Sequence, residues 1–168
     1  TASNNTAVGD ETLGLCVTGA NNTAIGNKSL RWCTASNNTA VGSMTLAANT
    51  TGVESTAVGS QSLDSQTTGT RNTAVGYNAG ASITTGDNNT AIGGDALGAN
   101  TTSNANVAVG KNALLSSTGA ANTAVGSFAL DANTTASDNT AVGKNALTAS
   151  TTGSSNTAVG IGCLQALT

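Results

Sequence analysis

The chain alternates a short apolar phrase with a longer polar stretch, at a nearly constant interval. The phrase is Thr-Ala-Val-Gly or a close variant, and successive closing glycines lie 16 or 17 residues apart over ten copies. These glycines are Gly9, Gly26, Gly42, Gly59, Gly76, Gly93, Gly110, Gly126, Gly143 and Gly160. A period held this closely predicts a tandem-repeat architecture, in which each unit contacts only its neighbours.

Several positions of the repeat hold one residue type, and we number them from this glycine as position 0. Position −2 is Ala and position −1 is Val or Ile in all ten copies. Four other positions hold one residue in nine copies: Asn at −4, Thr at −3, Leu at +4 and Thr at +8. The exceptions are Ser55 at −4, Val107 at −3, Gly80 at +4 and Val17 at +8.

The alternation within Thr-Ala-Val-Gly predicts a strand, with Thr and Val on one face and Ala and Gly on the other. The stretch from the Leu at +4 to the Thr at +8 is long enough for a second short strand, and turn residues separate the two. Seventeen residues are too few for a two-helix repeat, and the Asn, Thr and Gly content disfavours helix. We therefore predict an all-β fold: a parallel β-solenoid of ten coils, about two short strands per coil, with coils ~4.8 Å apart.

In such a stack, the same position in successive coils forms a ladder along the axis. The Ala column and the leucines are expected to share one interior, with a gap at Gly80 filled by Ile83. The expected leucine ladder is Leu13, Leu30, Leu46, Leu63, Leu97, Leu114, Leu130, Leu147 and Leu164. The Asn at −4 can bond amide to amide along its column, and Asn tolerates the left-handed backbone of a tight corner.

The two ends of the sequence match in phase, because joining them would leave one full period between Gly160 and Gly9. Neither end shows a polar cap, although open solenoid ends expose unpaired backbone groups. We therefore expect a single repeat domain over residues 1–168. It either stacks head to tail with other copies or is a segment of a longer array.

The composition narrows the chemistry. The chain has no His, only 8 % charged residues, and five Lys and Arg against eight Asp and Glu. Without His, no Ser-His-Asp or Cys-His arrangement can form, and the carboxylates fall at different repeat positions. We expect no enzyme activity, no cofactor and no metal site. The few basic residues argue against nucleic-acid binding, and no apolar run is long enough for a membrane span.

Two cysteines occupy the same repeat position in neighbouring coils. Cys16 and Cys33 both lie at +7, and a rung spacing of ~4.8 Å is within the Cα separation that a disulfide accepts. We predict a Cys16–Cys33 disulfide, with two buried free thiols as the alternative. The disulfide would indicate an oxidising, extracellular setting. Cys163 has no partner in the sequence.

The chain also carries eight Asn-x-Ser/Thr triplets, which are candidate glycosylation sites if the protein is secreted by a eukaryote or its virus. They begin at Asn4, Asn21, Asn27, Asn37, Asn49, Asn88, Asn100 and Asn133. A chain this rich in Asn and Thr also produces such triplets by chance.

The phrases NTAVG, NTAIG and NVAVG (the last from Asn106 to Gly110) resemble the repeat of the YadA-like heads of trimeric autotransporter adhesins. They are also similar to Asn-Thr-Ala-Val-Gly repeats in viral and bacterial fibre proteins. The resemblance implies a left-handed parallel β-roll, three chains side by side, and binding to surfaces such as extracellular matrix. It would place Val8, Ile25, Val41 and their successors at a subunit interface.

These observations favour a structural protein, namely an extracellular fibre or adhesin shaft at a cell or virion surface. We expect it to associate with itself. Surface glycans and extracellular matrix are its candidate partners. The alternative is an ice-binding β-solenoid that uses its Thr columns. Exposure of a flat Thr/Val face would favour ice, whereas burial against another chain would favour the fibre. A carbohydrate-active β-helix enzyme is the third reading, but the acidic cluster that it needs is missing.

Overall fold

The computed structural model describes residues 2–165, except for the side chain of Cys33. Within this range the regular secondary structure consists of short strands. The described residues form no helix long and apolar enough to cross a membrane. The strands are β1 (Thr6–Val8), β2 (Leu15–Cys16), β3 (Thr23–Ile25), β4 (Trp32–Cys33), β5 (Thr39–Val41), β6 (Thr56–Val58), β7 (Thr73–Val75), β8 (Thr90–Ile92), β9 (Val107–Val109), β10 (Thr123–Val125), β11 (Thr140–Val142) and β12 (Thr157–Val159).

One parallel sheet runs the length of the rod. Its ten strands follow chain order, and each is the Thr-Ala-Val phrase of one coil. The register is constant: Thr6 pairs with Thr23 at the first step, and Thr140 pairs with Thr157 at the last. Val107, which replaces Thr, keeps the same alignment with Thr123. The predicted all-β parallel solenoid is confirmed.

The second predicted strand forms a ladder in the first two coils only, among the residues described. There β2 pairs with β4, with Cys16 opposite Cys33. In the later coils this stretch consists of successive turns, such as the one closed by the Asn100 N–H to the Leu97 carbonyl at 3.3 Å. The turns still bond coil to coil, because the Leu97 N–H donates to the carbonyl of Ala113 at 3.0 Å.

The turns depend on left-handed backbone at repeated positions. The leucines at +4 have φ between 47° and 56°, and the residues at +2 and −5 are left-handed as well. An L-residue pays roughly 1–2 kcal/mol for this conformation, which burial of a leucine side chain, at about 1.5–3 kcal/mol, offsets. The glycines at 0 have φ between 125° and 140°. A Cβ on Gly59 would lie 2.5 Å from the carbonyl oxygen of Gly76 in the next coil, so only glycine fits.

The core is thin and consists of small and branched aliphatic side chains. Alanines at −2 of the second to tenth coils are at most 3 % exposed, and they form one cluster with the leucines at +4. Alanines at +3, such as Ala96 and Ala113, complete the interior. Because each strand turns its Ala inward, it turns its Thr and Val outward, and this alternation creates the main surface of the protein.

Candidate functional surfaces

The outward side of the ten-stranded sheet, formed by the residues at −3 and −1, is here called the Thr/Val face. In the middle of the rod, Val58, Val75, Ile92, Val125 and Val142 are each 36–38 % exposed. The threonines beside them are half-buried in most coils. No charged residue occupies positions −3 to −1 in any coil. The face is therefore an uncharged, mostly apolar strip that continues from rung to rung.

The Asn column at −4 supports this sheet from inside the adjoining corner. Asn38 shows the geometry: its Oδ1 accepts the backbone N–H of Ser55 at 2.9 Å, and its Nδ2 donates to the Gly52 carbonyl at 3.0 Å. The other coils repeat this pattern, for example Asn139 with the N–H of Asn156. The amides thus bind mainly to backbone, and this differs from the expected amide-to-amide ladder.

Direct amide contacts at −4 occur in a minority of steps, such as Asn89 Nδ2 to Asn72 Oδ1 at 3.2 Å. The expectation that this Asn takes the left-handed corner is wrong. The left-handed residue is its predecessor at −5, which is as varied as Asn88, Arg71 and Ala121. The Asn at −4 instead uses its amide to bond two backbone groups at once, as Asn38 does with Gly52 and Ser55.

The predicted leucine ladder is buried along most of its length, and its ends differ from its middle. Leu13 is half-buried against the core, and Leu164 is 46 % exposed. Gly80 keeps the left-handed backbone of the column, with φ 59°, and Ile83 is fully buried beside it. The other seven leucines are fully buried: Leu30, Leu46, Leu63, Leu97, Leu114, Leu130 and Leu147.

The candidate glycosylation sites divide into two groups. Exposed asparagines head five triplets: Asn4, Asn21, Asn27, Asn37 and Asn88. The other three, Asn49, Asn100 and Asn133, are fully buried at position +7. There the Asn side chain closes a turn, as where Asn49 Oδ1 accepts the Gly52 N–H at 2.9 Å. A glycan on these three has no space in this fold, which corrects the expectation drawn from the triplets alone.

The cysteine pair lies on adjacent rungs. Backbone pairing places Cys16 directly opposite Cys33, but the Cys33 side chain is outside the described part. Cys16 carries a free thiol that donates to the Gly19 carbonyl at 3.8 Å. The disulfide therefore stays a prediction. Cys163, also a free thiol, donates to the Val159 carbonyl at 3.1 Å.

A second surface, which the sequence did not single out, surrounds Trp32. The Trp32 side chain is 47 % exposed, with the Arg31 guanidinium 5.5 Å from the ring centroid. Arg31 is held in turn by Glu11, at 3.0 Å between Nε and Oε2. One sequence feature could have revealed this surface: position +6 is Ala or Ser from the third coil to the ninth, but it is Leu15 and Trp32 in the first two coils.

Trp32 stands between two clefts. One, of about 440 Å³, is bounded by Lys28, Arg31, Trp32, Met44, Asp64 and Ser65, with Ala47 and Ala48 as further lining. The other, of about 360 Å³, is lined by Leu15, Val17, Trp32, Thr34 and Thr50. Burial raises the pKa of Asp64 above its usual value, and the same cause raises the pKa of Asp131 in a later coil.

The described residues 2–165 contain no group of three or more His, Cys, Asp or Glu side chains placed to hold a metal ion. Comparisons with protein-family models, with curated proteins and with solved structures find no match for this chain.

Proposed function

We propose that this chain is a non-catalytic structural module, the shaft of an extracellular fibre or adhesin at a cell or virion surface. In this proposal, copies associate side by side through the Thr/Val face. The supporting observation is the continuity of that face: an uncharged strip of Thr and Val or Ile on ten in-register strands, with Val58, Val75, Ile92, Val125 and Val142 each 36–38 % exposed.

The dimensions of the face fit an interface. Ten rungs at ~4.8 Å and three residues at ~3.3 Å give a strip on the order of 450 Å². Exposed apolar patches of roughly 300–600 Å² on soluble proteins are often interaction sites. Parallel side-by-side packing would bury the valines of one copy against those of the next, rung by rung. Three copies around one axis is the arrangement of the YadA-like heads that the repeat resembles.

Growth along the axis completes the proposed shaft. Each coil binds the next through the same backbone ladder, so a further coil would continue it, whether it came from a second copy or from more of the same chain. Such a coil would reduce the exposure of Val159, which is 68 % here against 36–38 % for Val58, Val75 and Val142 at the same position inside the rod. The five exposed Asn-x-Ser/Thr triplets would be open to glycosylation in a eukaryotic secretory pathway.

The test is the mass of the protein in solution by sedimentation at rising concentration, with Val75→Glu/Val125→Glu as the disrupting variant. We expect the wild type to form a discrete oligomer, and the variant to be monomeric because each copy would bury two carboxylates. Thr85→Glu/Thr135→Glu is the matched control, since it places the same charges on the same two coils at exposed positions off the face. A wild type that stays monomeric at all concentrations overturns the proposed association.

Ice binding is the second candidate, favoured by the accessibility of the same face in the single chain. Its Thr and Val rows repeat at one rung, ~4.8 Å, along a sheet of constant register. Thermal hysteresis and inhibition of ice recrystallisation by a monomeric wild type, both abolished by Val75→Glu/Val125→Glu, would support this function. That result would also contradict the shaft proposal.

A further inference from the structure

We propose that the larger cleft beside Trp32 is a binding site for a neutral saccharide, with the Trp32 ring as its stacking wall and Lys28 and Asp64 as its hydrogen-bonding ends. This inference concerns a different surface from the Thr/Val face and does not depend on the shaft proposal.

The first support for this site is the exposed indole ring of Trp32. Trp32 is the only tryptophan in the chain, and it is half-exposed on a protein that otherwise has one Tyr and one Phe. An indole ring offers a large apolar surface to a ligand that has an apolar side. Arg31 lies over one face of the ring, 5.5 Å from its centroid, and pairs with Glu11, and these contacts restrict the orientation of the ring and leave its other face for a ligand. A pre-positioned aromatic ring loses little conformational entropy when a ligand stacks on it.

The second support is the shape. Trp32 ends a pair of bulky residues at +6, and the next coils carry Ala48 and Ser65 at that position. The step from a bulky to a small side chain opens a cleft with Trp32 on one side and Ala47 and Ala48 in its lining. Its volume of about 440 Å³ lies within the range of small-molecule sites, roughly 300–1,000 Å³.

The third support is the polar lining. Lys28 provides donors, Ser65 provides a hydroxyl, and Asp64 provides acceptors to the same cleft. Arg31 pairs with Glu11, which is outside the lining, and Lys28 and Asp64 carry opposite charges, so the cleft has no strong net charge. A ligand with an apolar face and a rim of hydroxyl groups matches this combination, and that description fits a pyranose chain.

The single tryptophan makes the experiment direct. We would titrate the wild type with chitotetraose and with cellotetraose, two neutral β-linked tetrasaccharides, and follow Trp32 fluorescence and heat by calorimetry. We expect saturable binding of at least one of them. Asp64→Asn should weaken it by about tenfold, the value of one charged hydrogen bond of roughly 1.5 kcal/mol. Trp32→Ala should abolish the calorimetric signal.

Asp131→Asn is the matched control, because Asp131 occupies the same repeat position, +5, in a coil that has no aromatic neighbour at +6. It should bind as the wild type does. Thermal melting followed by circular dichroism should show that every variant is folded. If Trp32→Ala does not fold, the comparison of Asp64→Asn with Asp131→Asn still tests the proposal. Absence of saturable binding by both sugars overturns the proposal. Equal weakening by the two Asn variants does so too, and so does tighter binding of choline chloride or of a sulfated tetrasaccharide.

Discussion

The end of the Ile83 side chain occupies the space that a side chain on Gly80 would need. Ile83 Cδ1 lies 3.0 Å from the position that a Cβ on Gly80 would take, and Leu63 Cδ2 is equally close. Six of the other nine coils have Leu at +4 and Asn, Gln or Ser at +7, as in Leu97 and Asn100. This coil exchanges both residues together, so one branched aliphatic side chain still fills its interior.

We predict strong coupling between these two positions. Gly80→Leu alone overpacks the coil and should destabilise it by about 1–3 kcal/mol. Ile83→Asn alone should also destabilise, because it removes a buried aliphatic group. The double variant recreates the neighbouring coil and should recover stability, with a coupling energy of roughly 0.5–3 kcal/mol in urea unfolding. Additive losses in the double variant would show that the two substitutions are independent.

Leucine at +4 should be the largest single contributor to core stability. Leu97→Ala leaves a cavity in a fully buried site and keeps the left-handed backbone, so unfolding free energy should fall by about 2–5 kcal/mol. Leu164→Ala, at a position that is 46 % exposed, is the comparison and should cost clearly less. Equal losses at the two positions would contradict the assignment of the core.

Gln66 compensates for the missing Asn at position 55. Its Nε2 donates to Ser55 Oγ at 3.1 Å, and its Oε1 accepts from Asn72 Nδ2 at 3.0 Å. Gln66→Leu removes both bonds inside a buried site, and we expect a loss of about 1–3 kcal/mol in thermal unfolding. Gln61→Leu, a half-buried Gln of the same coil, should change stability by less than about 0.5 kcal/mol.

Under oxidising conditions, the Cys16–Cys33 disulfide should form because the two residues pair on adjacent rungs. Intact mass before and after reductant should differ by two hydrogens, and alkylation of the native oxidised protein should label one thiol, that of Cys163. Cys16→Ser should abolish the mass difference. Three alkylatable thiols in protein kept under air would count against the bridge.

Two aspartates should make the fold less stable as pH rises from acid. Burial raises the pKa of Asp64 and Asp131 above the usual 3.8, so the folded chain keeps protons that the unfolded chain releases. Stability is then greatest below 3.8 and declines through the raised pKa values. Asp64→Asn/Asp131→Asn should reduce this decline in melting temperature measured from pH 3 to 7, and Asp138→Asn, at an exposed position, should leave it in place.

The period and the alternation within Thr-Ala-Val were enough to predict the sheet, its register and the buried Ala column. They could not reveal that Leu at +4 takes a left-handed backbone, because propensity assigns that conformation to Gly and Asn. Burial decides the conformation here. Likewise, Asn49 and Asn4 look alike in the sequence, and only folding separates a turn-closing amide from an exposed one. The Trp32 cleft depends on which side chains stack on neighbouring rungs, so a single repeat does not show it.

Constant register between coils also bears on how such a protein changes over generations. Thr lies over Thr and Ala over Ala at each step of the sheet, apart from the Val107 substitution. Deleting or duplicating one whole unit therefore leaves the register of the sheet in place and shortens or lengthens the rod by one rung. Related proteins can then differ in rod length by steps of ~4.8 Å and keep the same fold.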